Sequence, residues 1–148
     1  MIEIKLAIDE DIPEVCRLVQ QMSPGSPHDY RNAIIKFQTC IKSSPDYFLW
    51  VAKLDGKVVG TAMMHLQHKL SYSCGVAAHL EDVVVDNEWK NLGIGTALVE
   101  KAIETAKEHS CYKIMLGCFE KTVLFYERFG FLKHDVGMRM NLKDKLYG

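Results

Sequence analysis

Apolar and polar residues alternate at the start of the chain, so residues 2–7 are predicted to form a strand. From residue 9 the period lengthens. Ile12, Val15, Cys16, Leu18 and Val19 fall on one side of a helix predicted over residues 9–22, with Asp9 as its N-cap. The Ser/Pro/Gly cluster at residues 23–27 ends it, and a second helix is expected over residues 29–42. Two strands, over residues 47–54 and 57–68, flank Asp55-Gly56, a pair that tolerates positive φ and marks a hairpin. Residues 80–86, with Val83, Val84 and Val85 in succession, read as a buried central strand. Helices over residues 95–108 and 122–129 then alternate with strands over 112–118 and 136–142. Antiparallel strands first and crossover connections later predict an α/β chain, a mixed central sheet flanked by helices in a single domain over residues 1–148.

The junction between the central strand and the following helix carries the first chemical signal. Lys90-Asn91-Leu92-Gly93-Ile94-Gly95-Thr96 is a glycine-rich turn that opens an amphipathic helix. Gly93 and Gly95 remove side chains where a phosphate must approach the backbone, and the free N–H groups of the first helical turn point at it with the positive end of the helix dipole. The Gly-Lys-Ser/Thr ending of a Walker loop and the third glycine of a dinucleotide fingerprint are both missing. The turn resembles the acetyl-CoA loop of the GNAT acetyltransferases, Arg/Gln-x-x-Gly-x-Gly/Ala. Lys90 stands in the first position, which keeps a positive charge but loses the planar fork.

Three further segments stand in order between about residues 54 and 140. They are His68-Lys69-Leu70-Ser71-Tyr72-Ser73-Cys74-Gly75, then His79-Leu80-Glu81-Asp82-Val83-Val84-Val85, and finally residues 111–116 with Phe125-Tyr126-Glu127-Arg128-Phe129-Gly130-Phe131. Together they resemble the glucosamine-6-phosphate N-acetyltransferases within the GNAT superfamily. The resemblance implies the GNAT fold, a splayed sheet with acetyl-CoA wedged between two central strands. It also implies acetyl transfer to the 2-amino group of glucosamine 6-phosphate by direct attack on the thioester, and a homodimer whose last strand packs into the partner subunit.

Acetyl transfer to an amine needs a proton acceptor for the ammonium, hydrogen-bond donors for the thioester carbonyl and a proton for the departing thiolate. By resemblance Glu81 and Asp82 lie at the amino-sugar site, Glu81 nearest the amine, taking its proton directly or through water. Alternation along a strand sends their side chains to opposite faces unless a bulge intervenes. A backbone N–H in the stretch Val83, Val84, Val85 is expected opposite the thioester carbonyl, and Tyr126 is the expected acid for the sulfur. Lys90, Asn91, Leu92, Gly93, Ile94, Gly95 and Thr96 would form the cradle, with Thr122 and Arg128 as further cofactor contacts. Lys69, Ser71, Tyr72, Tyr112, Lys113 and Arg139 would join Glu81 and Asp82 around the acceptor. Four further departures stand out: a basic residue usual near the C-terminus falls close to Asn141, leaving Arg139 as the nearest cation; Thr122 replaces a usual Asn; Gly117 replaces a common acidic residue; and residues 20–26 lack the family's Thr-rich substrate loop.

Composition narrows the field. In 148 residues that are 48% hydrophobic and 25% charged there is material for one core, and a formal net charge of -1 gives no basis for expecting nucleic acid or an anionic membrane as partner. The acidic start and the lack of a long apolar run argue against a signal peptide or a membrane span, so a cytoplasmic location is expected. The cysteines, Cys16, Cys40, Cys74, Cys111 and Cys118, show no C-x-x-C pair and read as reduced, mostly core thiols; the histidines show no metal-binding helix pattern, and no metal is expected. Two other functions fit the same residues: acetylation of a different small primary amine or peptide N-terminus, and a non-catalytic acyl-CoA-binding module. Lys69, Lys113 and Arg139 disfavour cationic acceptors, and Glu81 with Tyr126 exceeds what a sensor needs.

Overall fold

The computed structural model describes residues 1–24 and 29–143. Strand β1 (Ile2–Leu6) leads through a 3₁₀ turn (Asp9–Asp11) into α1 (Ile12–Met22), and α2 (Tyr30–Lys36) continues as a π-helical stretch (Phe37–Lys42). Strands β2 (Tyr47–Leu54) and β3 (Lys57–His68) form the hairpin expected at Asp55-Gly56, whose φ values are 50° and 79°. A single turn, α3 (Ser71–Cys74), precedes β4 (Val76–Val85). The 3₁₀ turn Asn87–Trp89, helix α4 (Ile94–Glu108), strand β5 (Lys113–Met115) and the short α5 (Val123–Glu127) complete the order.

The sheet order is β1-β2-β3-β4-β5, antiparallel through β4 and parallel between β4 and β5. Helix α4 is the crossover that the parallel pair requires. Its Ile94, Leu98, Val99 and Ala102 pack on Trp50, Ala62, Met64 and Leu80, all at most 2% exposed. A Cβ at Gly60 would lie 2.8 Å from Ile94 Cγ2, so only glycine lets the helix seat this closely on β3. On the opposite face α1 and the α2 region cover only part of the sheet, with Ile12, Val15, Leu18 and Phe37 against Leu49, Val51 and Val84.

Several sequence expectations need correction. Asp9 does not cap α1: its carboxylate takes Gln38 and Lys42, and it is Asp11 that reaches back to the Ile8 N–H at 3.0 Å. Residues 9–11 can therefore form a 3₁₀ turn before the helix proper, with Pro13 in the first turn of α1. The central strand starts earlier than expected, at Val76, because Ala77 and Ala78 are small enough to be buried beside β3 and β5. Strand β5 is far shorter than residues 112–118, and residues 136–142 pair with nothing among the described residues, leaving Val136, Met138, Met140 and Leu142 more than 80% exposed. The cysteines are not mostly core. Cys40, Cys74 and Cys118 are exposed, since each lies in a turn or on an outward helix face; Cys16 and Cys111 are half-buried. The segment 20–26, noted for its missing Thr-rich loop, lies partly outside the described residues.

Leu98 is fully buried between α4 and the sheet. Leu98→Ala is expected to lower the unfolding free energy by about 2–5 kcal/mol in urea titrations, the range for a leucine whose cavity cannot collapse.

Candidate active site

The site begins where two strands part. β4 and β5 pair only at Ala77↔Lys113, Ala78↔Ile114 and His79↔Met115, after which β5 ends while β4 continues to Val85. The rest of β4 therefore forms one wall of a wedge. At its far end the chain turns through Asn91 and Gly93, both left-handed at φ 64° and 80°, and Gly93 becomes the N-cap of α4. The first intrahelical bond runs from the Ala97 N–H to the Gly93 carbonyl, so the N–H groups of residues 93–96 have no partner one turn back. Lys90, Asn91 and Leu92 are exposed, and nothing lies within 4 Å of a Cβ at Gly93. A Cβ at Gly95 would touch Phe125 Cζ at 3.4 Å and Val85 Cγ2 at 3.6 Å. An open backbone with unpaired donors at a helix N-terminus fits a pyrophosphate. Phe125 also lies under Arg128, whose guanidinium carbon is 5.1 Å from the ring centre, while the Thr122 hydroxyl donates to the Phe119 carbonyl at 2.9 Å and fixes the turn before α5.

Register shows how the carboxylates are placed. Thr61 pairs with Val84 and Met63 with Glu81, so Asp82 and Val83 together oppose the single residue Ala62. This is a β-bulge, and Asp82 carries it in left-handed backbone at φ 53°. The extra residue inverts the alternation. Before it, Ala78 and Leu80 face α4; after it, Val83 and Val85 do, while Val84 joins the cluster under α1. Glu81 and Asp82 consequently share the face away from α4 instead of lying on opposite faces. Both are exposed at their outer edges, and Asp82 also borders an apolar cavity of about 200 Å³ beneath α1 and α2. Burial against that cavity pushes the Asp82 carboxyl up from the ordinary carboxylate range, and the charge of Glu81 pushes it further.

Tyr126 is half-buried, in edge-on contact with Phe125 at 4.9 Å and Phe131 at 5.9 Å between ring centres. Burial raises its phenol above the usual value and nearby Cys118 adds to this, so the group stays protonated at neutral pH. It is available as a donor.

Of the residues expected around the acceptor, Lys69, Tyr72, Tyr112 and Lys113 gather at the start of the wedge. Tyr72 stacks on Tyr112 with centroids 4.6 Å apart, and Lys113 Nζ lies 5.7 Å and 5.4 Å from these two rings. Lys69 Nζ sits 5.4 Å from the Tyr72 ring. The turn that presents Tyr72 is left-handed at Tyr72, Ser73 and Cys74, a conformation disfavoured by roughly 1–2 kcal/mol per residue. The Ser71 carbonyl ties the turn to the Gly75 N–H at 3.2 Å; its side chain is exposed. Arg139 is not brought to this cluster: it lies in the unpaired segment after α5.

Sequence reading missed a stack of rings beside Glu81. Tyr47, His65 and His79 are direct register partners across β2, β3 and β4, with centroids 5.4 Å and 4.7 Å apart. His79 Nε2 is 2.9 Å from Gln67 Oε1, which calls for an Nε2–H donor. Burial chiefly, then the charge of His65, lowers the His79 pKa. The signal was the hairpin register from Asp55-Gly56, but a second bulge between Ala52 and Lys53 shifts it by one residue.

The acetyltransferase (GNAT) family profile matches residues 12–131, and the chain belongs to that family. A Trypanosoma brucei brucei glucosamine 6-phosphate N-acetyltransferase is 38% identical over 87 residues, which is 59% of this chain and 59% of that relative's length. A Dictyostelium discoideum protein of the same name is 34% identical over 112 residues, 74% of this chain and 71% of the relative. Among solved structures, a Trypanosoma brucei acetyltransferase superposes with a TM-score of 0.86 at 26% identity, covering 96% of this chain and 100% of that one.

The raised Asp82 pKa has a definite sign. A carboxyl whose folded pKa lies above its unfolded value contributes stability below the unfolded pKa, and loses it as pH rises through the folded one. Asparagine tolerates left-handed backbone as well as aspartate does. Asp82→Asn is therefore expected to melt higher than wild type near neutral pH, with the gap closing as both are acidified. Equal melting temperatures across thermal scans from about pH 3 to about pH 8 would contradict this.

Proposed function

We propose that the chain is an acetyl-CoA-dependent N-acetyltransferase acting on the 2-amino group of glucosamine 6-phosphate. One observation carries the reading: the carboxylates of Glu81 and Asp82 and the cations of Lys69 and Lys113 belong to the same side of the wedge. His79 feels the charges of Glu81, Lys113 and Lys69 together. An acceptor with an ammonium group at one end and a phosphate at the other matches this separation of charge. The names of the trypanosomal and Dictyostelium relatives support it.

In this reading acetyl-CoA supplies the acyl thioester, with its pyrophosphate on residues 93–96. Glu81 holds the ammonium, and Asp82, with its carboxyl raised by burial, receives the proton directly or through water. β4 offers backbone N–H groups from residues 83–85 toward the carbonyl oxygen. Tyr126 gives a proton to the sulfur as the C–S bond breaks. Lys69 and Lys113 hold the phosphate, with Tyr72 and Tyr112 keeping their side chains extended over the ring faces.

The apolar cavity beside Asp82 favours a second reading, a small apolar primary amine with its hydrocarbon part beneath α1. A thiol-release assay separates the two. Glucosamine 6-phosphate should outperform both glucosamine and a small apolar amine, and Lys113→Ala should raise KM for the phosphorylated sugar about 10- to 100-fold, the loss of one charge-assisted hydrogen bond, with little change for glucosamine. Equal weakening of both acceptors would remove the phosphate from the argument.

A homodimer is part of the proposal. Val136, Met138, Met140 and Leu142 alternate in an extended segment at 82–94% exposure, and the three-residue β5 leaves its outer edge short of a partner strand. A second copy of the chain can cover this apolar row. Light scattering at micromolar concentration should give twice the chain mass of 16.8 kDa; a monomer in an active preparation would refute the dimer.

A further inference from the structure

Helix α1 grips the end of β4 through side chains that take no part in the chemistry above. Gln21 donates from Nε2 to the Val85 carbonyl at 3.1 Å and accepts at Oε1 from the Asn87 N–H at 3.2 Å. One turn earlier, Arg17 donates from Nη2 to Asp86 Oδ2 at 2.9 Å, while its Nε is held by Glu14 at 2.7 Å. Asp86 is only 3% exposed; its Oδ1 accepts from the Glu88 N–H at 3.0 Å, and its own N–H donates to the Val59 carbonyl at 2.9 Å. Residues 85, 86 and 87 are thus each fixed by α1, one after another, where the strand becomes the loop.

Beyond this point Trp89, half-buried, packs on the α4 cluster under Lys57 and donates its backbone N–H to the Asp86 carbonyl at 2.9 Å; after Trp89 the loop has little to hold it. Lys90, Asn91 and Leu92 are exposed, and among the described residues no hydrogen bond of theirs secures the turn before Gly93. Its path is set by its two ends, the start of α4 and the segment 85–89, whose first three residues α1 holds. We infer that Gln21 and Arg17 are positioning residues for the cofactor cradle, fixing the direction in which β4 delivers residues 90–95. This rests on the reading of that cradle as the acetyl-CoA site. A preorganised loop loses less freedom on binding, so the clamp acts on affinity. Gln21 contributes little to stability, because it borders an open polar cleft of about 480 Å³ where water competes for the same bonds, whereas loss of Arg17 strands the Asp86 carboxylate, only 3% exposed, and lowers the melting temperature as well.

Titration calorimetry with coenzyme A, run beside steady-state kinetics and thermal melts, tests the clamp. Gln21→Leu and Arg17→Met should each raise the Kd for coenzyme A and the KM for acetyl-CoA about three- to tenfold, the range for ordering one further side chain. kcat at saturation should stay within about twofold, and Arg17→Lys should recover part of the affinity. Unchanged Kd in both variants overturns the clamp, as does a fall in kcat that follows a lowered melting temperature with no change in KM. If Gln21→Leu does not fold, Gln21→Glu keeps the acceptor for the Asn87 N–H, loses the donor to Val85, and must still bind more weakly. A wild type that does not bind coenzyme A overturns the cradle reading itself, a result separate from tight binding by every variant.

Discussion

One extra residue in β4 divides that strand into two halves that serve different faces. Strict alternation from Leu80 would have turned Asp82 toward α4, into a cluster built from Leu98, Val99 and Met64. A carboxylate there would lie buried without a partner, at a cost of several kcal/mol. The bulge at Asp82 and Val83 instead sends Val83 and Val85 to the α4 core and leaves two carboxylates side by side on the open face. A bulge also bends and twists the strand that carries it. β5 follows β4 for three residues and then separates, and that separation is the wedge on which the rest of the site depends.

The features that work against stability lie outside the α4 core. The left-handed backbone of Asp82 and its raised pKa belong to the face that α4 does not cover, while other left-handed residues, the run Tyr72–Ser73–Cys74 and Asn91 and Ser110 at the two ends of α4, lie in turns around the sheet. Beneath them the α4 face is continuous and dry: Trp50, Ala62, Met64, Leu80, Ile94, Leu98 and Val99 are at most 2% exposed. Strain persists only where the surroundings over-determine it, and this core supplies that constraint. Tyr72 shows it locally. Its turn has two modest backbone bonds, at 3.4 Å and 3.2 Å, inside a loop closed by the Lys69 N–H on the Gly75 carbonyl at 2.9 Å, and it leans on the stack with Tyr112, which is anchored through its N–H to the Val76 carbonyl.

Elements whose cause is local were legible in the sequence. Asp55-Gly56 fixes a hairpin because two adjacent residues adopt positive φ, and Gly93 marks the entry to α4 because its left-handed backbone caps the helix. The long helix over residues 94–108 follows from a periodic apolar stripe and tertiary burial acting together. What could not be read depends on distant partners. Nothing in Glu81-Asp82-Val83 says that the strand takes an extra residue there. The Tyr47–His65–His79 stack requires a register that another bulge resets. The expected strand over 136–142 has the right alternation but no neighbour among the described residues, and alternation alone does not make a sheet.

Helix α1 joins the two halves of the site. Val15 and Val19, four residues apart, line the cavity beside Asp82, while Arg17 holds Asp86 and Gln21, four residues on, holds Val85 and Asn87 on either side of it. A helix carries both stripes because positions i and i+4 stack on one face while those two residues along turn some 200° away. Its sequence therefore has to satisfy an apolar pattern toward the acceptor side and a hydrogen-bonding pattern toward the end of β4. A rigid element with both fixes the distance between carboxylate and cradle without contact between them. That requirement accounts for Arg17 and Gln21 within a stretch whose apolar stripe alone would have been enough to make it a helix.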